Sequence, residues 1–298
     1  MRVGIDYTPA LNQRAGIGRF TRELVQAVLS QDRQNDYLLL HHANGGVSPP
    51  AFGGNARFKR LPFTQRFSAA MWHRLRLPIP AEFFTGPLDL FHATDYLLPP
   101  LRSAKGIATV HDLSFLLYPE CADPGLAAYL KSALPRSLER AHLVLADSYC
   151  TRDDLTRSLG FPKEKIEVLY GAVGEEFRPV SDPNILEPVR RRHNLHSPFI
   201  LSLGTLEPRK NLTTLIRAYW FLRRERGIDH RLVVAGGNGW MYENIFSLVE
   251  ELGLEQEVSF IGYVAENDLP AILSLADVFA FPSLYEGFGL PPLEAMAC

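Results

Sequence analysis

The feature that most constrains this chain is a repeated alternation. Short apolar runs at 2–6, 37–42, 90–93, 107–111, 143–146 and 166–169 are separated by stretches with helical spacing, such as the face Phe20, Leu24, Ala27 and Val28. Such runs read as buried strands, and their alternation with helices predicts a parallel sheet covered by helices. The pattern breaks at 171–188, a linker-like stretch rich in Gly, Pro, Glu and Asp. It then restarts with runs at 199–203, 231–235, 258–261 and 278–281, and with a helix face of Leu212, Leu215, Ile216, Tyr219 and Leu222. The expectation is an α/β chain of two Rossmann-like, doubly wound domains facing a cleft, the first over 1–180 and the second over 181–298. The second is expected to be incomplete: after 281 there is room for a helix of about a turn and a half before Cys298, without a Gly or Pro stop. Ligands of doubly wound sheets sit at the carboxyl ends of the strands, so function is sought in the loops that follow them.

Composition narrows the classes. With 298 residues, 46% hydrophobic and 21% charged, the chain is long enough for two cores, and a net charge of -2 gives no overall reason to expect nucleic acid. Met1-Arg2-Val3-Gly4-Ile5-Asp6 reads as a strand and not as a leader, and no apolar run reaches the length of a membrane span. Cys121, Cys150 and Cys298 show neither paired nor metal-ligand spacing, which fits a reducing cytoplasm. One segment is uneven. Residues 52–84 carry Arg57, Lys59, Arg60, Arg66, Arg74 and Arg76 against the single acid Glu82, with Phe58, Phe63, Phe67, Trp72, Phe83 and Phe84 interleaved. This reads either as a surface for anionic lipid or a phosphate-bearing acceptor, peripheral at the inner membrane face, or as a helix with an aromatic core side and a solvated basic side.

Four loops are candidates for chemistry. The run from Phe281 to Cys298 leaves a strand, turns through Glu286-Gly287-Phe288-Gly289, and opens a helix with Pro291 and Pro292. Its helix start suits phosphate or a sugar hydroxyl, and Glu286 and Glu294 bracket the loop with seven residues between them. A capping box from Ser283 to Glu286 is the plainer alternative, weakened by the glycines and prolines that follow. Near the amino end, Arg14-Ala15-Gly16-Ile17-Gly18-Arg19 joins strand to helix. Thr21 stands where a third glycine would be, and the second strand ends Leu40-His41-His42 without an acid for a ribose, so a nicotinamide cofactor is not expected. That loop reads either as a tight turn or as a close approach to a diphosphate. His111 follows a strand, where an imidazole donates a hydrogen bond or moves a proton, or is simply structural. In Gly204-Thr205-Leu206-Glu207-Pro208-Arg209-Lys210-Asn211, Asn211 is an N-cap candidate, and the two cations suit a diphosphate or solvent. There is no Asp-x-Asp, Walker loop, G-x-S-x-G or His-Glu-x-x-His.

Taken together, these pieces resemble the retaining glycosyltransferases of family 4, which have the GT-B fold. Glu286-Gly287-Phe288-Gly289-Leu290-Pro291-Pro292-Leu293-Glu294 looks like that family's E-x7-E signature, and Gly16-Ile17-Gly18, Val110-His111-Asp112-Leu113 and 204–211 fall in its order. Mannosyltransferase-like members that build polysaccharides look most similar. The resemblance implies a UDP- or GDP-sugar donor held by the second domain and a glycan or lipid-linked acceptor held by the first, with no metal or other cofactor. It implies that Glu294 binds ribose, that Glu286 contacts the donor sugar, and that the N–H groups of Phe288, Gly289 and Leu290 meet sugar or phosphate oxygens. It places Arg209 and Lys210 at the diphosphate, Gly16 and Gly18 where the first domain closes over it, His111 near the transferred sugar, and Val264 beside the base. Thr205 stands where many members have Arg, and the family continues past this chain's last residue with further strands and a helix. A sugar-nucleotide epimerase of similar architecture and a non-catalytic nucleotide-sugar binder remain as alternatives.

Overall fold

The alternating pattern becomes two parallel sheets. In the computed structural model, which describes residues 1–13, 16–42, 49–50, 52–196 and 198–298, the first sheet has seven strands. They are β1 (Arg2–Asp6), β2 (Asp36–His41), β3 (Ala56–Arg60), β4 (Leu90–Ala93), β5 (Lys105–Val110), β6 (Leu143–Ala146) and β7 (Ile166–Val168). Their order is β3-β2-β1-β4-β5-β6-β7, every pairing parallel. The order reverses between β1 and β4, which creates a switch point at their carboxyl ends. Ile5, Leu39, Ala108, Val110, Val144 and Ala146 are buried, as strands covered on both faces require.

One strand was not expected. β3 lies inside the basic aromatic segment, where Arg57, Lys59 and Arg60 hide its period-two pattern. It is an edge strand, and edge strands tolerate cations because one side of them faces water. The helix expected there occupies only Gln65–Ser68, capped by the Thr64 hydroxyl on the Phe67 N–H, and widens into a π-turn over Ala69–Arg74.

The second sheet holds β8 (Phe199–Leu203), β9 (Arg231–Ala235), β10 (Val258–Gly262) and β11 (Val278–Phe279), in the order β10-β9-β8-β11 and again all parallel. Strand alternation divides its packing: Phe199, Leu201, Val233 and Ala235 join one buried cluster, and Leu232 and Val234 join another with Ile216 and Tyr219. The chain packs as two units, Met1–Leu116 with Gly125–Gly171, and Leu117–Pro124 with Ala172–Cys298. The short excursion Leu117–Pro124 therefore packs with the second unit, although sequence order puts it among first-sheet elements. A helix, Pro183–Arg192, opens inside the linker-like stretch, with the Asp182 carboxylate on the Asn184 N–H and proline at its first position. Among the described residues, no helix is long and apolar enough to cross a membrane.

Candidate functional site

Two loops whose charged contacts span 76 residues of sequence meet at the carboxyl ends of β8 and β11, which are neighbours in the second sheet. After β8 the chain runs through Gly204 to a single 3-10 turn, Pro208–Lys210, and then into the helix Leu212–Glu225. After β11 it runs through 280–289 to the helix Leu290–Ala297. Hydrogen bonds to main-chain carbonyls lace the two together. The Leu284 N–H donates to the Arg209 carbonyl at 2.9 Å, the Asn211 amide to the Pro282 carbonyl at 3.1 Å, and the Arg209 guanidinium to the Tyr285 carbonyl at 2.8 Å. Asn211 precedes its helix as expected, but it does not cap it with its side chain. It sits in the left-handed region at φ 55, and its side-chain oxygen accepts from the Thr214 hydroxyl instead.

Charges converge here. Glu286 receives the Lys210 ammonium at 2.6 Å and the Arg209 guanidinium at 2.8 Å, and Arg209 also reaches Glu207 at 2.6 Å. Burial opposes ionisation of Glu286, but Lys210 and Arg209 outweigh it and hold its carboxyl below the usual carboxylate range. Glu207, which is more buried, is pushed up by desolvation in spite of the same two cations. The ammonium of Lys210 also lies 5.4 Å from the Phe281 ring. The result is a partly buried row of alternating sign, with both cations held in place by acids.

Glycine packing sets the position of this row. A β-carbon at Gly236 would lie 1.8 Å from the Gly204 carbonyl oxygen, and one at Gly204 would lie 3.3 Å from the Lys210 stem. The loops after β8 and β9 therefore touch backbone to backbone. The Leu206 N–H donates to Gly237, and the Gly239 N–H donates to Leu206.

The helix start after β11 has the prolines where the sequence puts them. Gly289 caps it at φ 98, and Pro291 and Pro292 fill its second and third positions. Two of the N–H groups that a helix start leaves without an intrahelical partner are therefore missing, and those of Gly289 and Leu290 remain. Phe288 lies just before them. Glu294 is buried at 4% exposure on this helix. The side chain of Val264 belongs to the hydrophobic core, which leaves only its main chain for a ligand.

A contact that the sequence did not reveal also belongs here. Leu117–Pro124 packs in the second unit, with the Tyr118 ring 5.5 Å from that of Tyr285 and the Trp240 indole donating to the Cys121 carbonyl at 2.8 Å. Tyr285 is thus held from two sides, by Arg209 on its carbonyl and by Tyr118 on its ring. No local signal in 117–124 announces this, because the segment carries no helical or strand period.

In the first unit, Gly16 and Gly18 part ways. Gly18 is closely packed: a β-carbon there would lie 1.9 Å from the Gln13 carbonyl oxygen, so the position admits only glycine. Gly16 caps the helix Ile17–Gln31 at φ 56, and nothing lies within 4 Å of where its β-carbon would be. Arg14 and Ala15 of that loop lie outside the described residues. His111 follows β5, and its ring is buried. Nδ1 pairs with the Asp147 carboxylate and Nε2 with the Thr94 carbonyl, both at 2.8 Å. Both partners accept, so both ring nitrogens donate and the imidazole is held in its charged form. Burial alone would lower its pKa, but Asp147, Asp95 and the Thr94 carbonyl together raise it. In this arrangement neither nitrogen is left to receive a proton, and the ring ties the ends of β4, β5 and β6 together.

That assignment has a pH signature. A folded-state pKa above the unfolded value contributes stability that is fully present below the unfolded pKa and lost as pH rises through the folded one. His111→Gln should therefore cost about 2 kcal/mol near pH 6, for lost charge-assisted hydrogen bonds, and progressively less at alkaline pH. Urea midpoints of both proteins across pH 6 to about 9 measure the difference; a gap that stays constant would contradict a charged His111.

Comparison with known proteins agrees with this architecture. The family model "Glycosyltransferase Family 4" matches residues 14–177, and "Glycosyl transferases group 1" matches 186–298. The chain is 30% identical over 292 residues to O-antigen chain mannosyltransferase B of Escherichia coli, covering 95% of this chain and 76% of that protein. It is 35% identical over 199 residues to the serotype-specific mannosyltransferase WbdA of Escherichia coli, covering 65% of this chain but only 24% of that much longer protein. The structure of sucrose-phosphate synthase from Thermosynechococcus elongatus superposes with a TM-score of 0.74 at 19% identity, over 100% of this chain and 79% of that one.

Proposed function

The chain belongs to glycosyltransferase family 4, with the GT-B fold, and from that premise we propose that it transfers a mannosyl group, with retention and without a metal ion, from a UDP- or GDP-sugar to a glycan or lipid-linked acceptor. The observation that carries this reading is the convergence of Arg209, Lys210 and Glu286 at the ends of two adjacent strands. A diphosphate brings oxygens that can take over the two cations, which frees Glu286 for the donor sugar. Mannose is favoured because the two relatives above are mannosyltransferases.

In this reading the bond from the anomeric carbon to the diphosphate breaks and its electron pair leaves with phosphate. Arg209, Lys210 and the N–H groups of Phe288, Gly289 and Leu290 stabilise the growing charge. The acceptor oxygen bonds to the anomeric carbon on the face being vacated, and its proton passes to the departing phosphate oxygen. Glu294 holds ribose and the main chain at Val264 borders the base. Gly16 offers open main chain at the end of β1, and His111 keeps the ends of β4, β5 and β6 in register.

Calorimetric titration with UDP and with GDP tests the donor side. One of the two nucleotides should bind, and Glu294→Ala should weaken it at least about tenfold through the loss of ribose hydrogen bonds. No heat with either nucleotide would sink the proposal. Products formed without an acceptor separate the remaining readings, since an epimerase releases an isomerised sugar nucleotide and a transferase leaves the donor unchanged.

A further inference from the structure

The basic aromatic segment takes no part in the donor-side network, and its structure is more specific than its sequence. Four large apolar residues stand in water within it: Phe67 at 56% exposure, Leu75 at 68%, Leu77 at 39% and Phe83 at 77%. They are not scattered. Phe67, Phe63, Phe84 and Phe83 form a continuous chain of ring contacts at 5.6, 4.9 and 5.2 Å, so the two exposed phenylalanines are the outer ends of one aromatic cluster. Trp72 joins the cluster through Phe63 and Phe84, and its indole donates to the Ile79 carbonyl, which fastens the turn that carries Leu75 and Leu77. In that turn, exposed cations and exposed leucines alternate as Arg74-Leu75-Arg76-Leu77, with Arg76 held at φ 59.

The cations share this side of the unit. Register pairs Leu38 with Arg57 and Leu40 with Lys59, so both cations lie on the sheet face of Leu38 and Leu40. That face continues to His42, whose ring lies 5.9 Å from Phe63. Arg66 precedes the exposed Phe67 directly. The single acid of the segment does not offset them. The Glu82 carboxylate is turned inward and accepts the N–H groups of Arg102, Ser103 and Ala104 at 2.9, 3.1 and 3.1 Å.

An ordinary solvated basic face has no need of phenylalanine and leucine exposed beside its cations. Cations that flank apolar side chains able to enter an acyl boundary match one partner, an anionic bilayer surface. We infer that residues 57–83 form a membrane-docking face of the first unit, with Phe67, Leu75, Leu77 and Phe83 entering the interface and Arg57, Lys59, Arg66 and Arg76 meeting anionic headgroups. The docked protein needs no spanning helix, because charge and shallow insertion act together.

Co-sedimentation with vesicles tests this. The protein should pellet with phosphatidylcholine vesicles containing phosphatidylglycerol and not with phosphatidylcholine alone, and salt should weaken the binding. Each basic residue near an anionic surface is worth about fivefold in affinity, so Arg66→Glu with Arg76→Glu should cost at least about twentyfold. Phe67→Ser with Phe83→Ser should also reduce binding, and the binding that remains, carried by charge, should be the more sensitive to salt. Circular dichroism and nucleotide titration of the same variants should match the unmodified protein, since none of these residues touches Arg209, Lys210 or Glu286. Absence of binding at low salt, equal binding to neutral vesicles, or unchanged binding by both double variants would overturn the inference. Vesicle-independent self-association through the same residues would assign the face to a second copy of the chain and overturn it as well. Vesicle binding is read without donor or acceptor, so its outcome does not depend on the transferase reading.

Discussion

Replacing Lys210 with alanine should lower transfer by about 10²- to 10³-fold, the range typical for removing one preorganised group that meets charge developing in a transition state. Folding should suffer much less. Lys210 shares Glu286 with Arg209, so its loss leaves that carboxylate paired through the guanidinium at 2.8 Å. The stem it removes lies beside Gly204, and the side chain is 14% exposed, so the space it leaves is open to water and not a sealed cavity. A cost of about 1 kcal/mol is expected, equivalent to two to four degrees in melting temperature for a chain of this size. The separation of these two effects tests the role. A merely structural lysine would lose activity in proportion to stability, and Lys210→Arg, which keeps the charge, would then restore both equally. A donor-binding lysine predicts a turnover defect in a protein that melts nearly as before, with partial recovery in Lys210→Arg limited by the different donor geometry of guanidinium. Near-normal turnover in Lys210→Ala would refute the assignment.

How legible this site was in sequence depends on the kind of signal. The strands were legible because buried parallel strands are short, largely apolar runs, and ten of the eleven among the described residues announce themselves so. β3 did not, because an edge strand can carry Arg57, Lys59 and Arg60 at the cost of the very periodicity that reveals a strand. Arg209, Lys210 and Glu286 could be named from their loops, but their pairing could not, since it depends on β8 and β11 being neighbours in the sheet. The inclusion of Tyr118 beside Tyr285 lies further still from sequence, because 117–124 leaves its own sheet to pack with the second unit. Glycines carry two meanings. A glycine-rich loop reads as a ligand cradle, yet a glycine is also required wherever two backbones touch, and Gly18 against Gln13 is of that kind. Only Gly16 of that pair is left with open space. For His111, the end of a strand is a good place for a functional imidazole, but nothing local shows that Asp147 and Thr94 bond both of its nitrogens.

The largest stability effect is expected at Gly236, and it should reach the site from outside it. Gly236 has φ 149, a conformation that side chains rarely adopt, and a β-carbon there would lie 1.8 Å from the Gly204 carbonyl oxygen and 2.6 Å from its carbon. The obstacle is backbone and not the far end of a flexible chain, so no rotamer change relieves it. Its own N–H is also committed, donating to the Gly262 carbonyl at 2.8 Å. Gly236→Ala must therefore push the turn after β9 away from the turn after β8, at a cost of about 3 kcal/mol or more from overpacking and backbone strain together. The melting temperature should fall by about ten degrees. The same displacement strikes Gly204 and Thr205, which lead into Arg209 and Lys210, so nucleotide affinity should fall along with stability. Gly253→Ala is the matched control. It shares a positive φ of 63 but has nothing within 4 Å of the added carbon, so it bears strain without collision and touches no site loop. It should lose about 1 kcal/mol and keep nucleotide binding. Equal losses in the two variants would mean that strain alone accounts for Gly236, and that the contact between the β8 and β9 turns does not hold the cations in place.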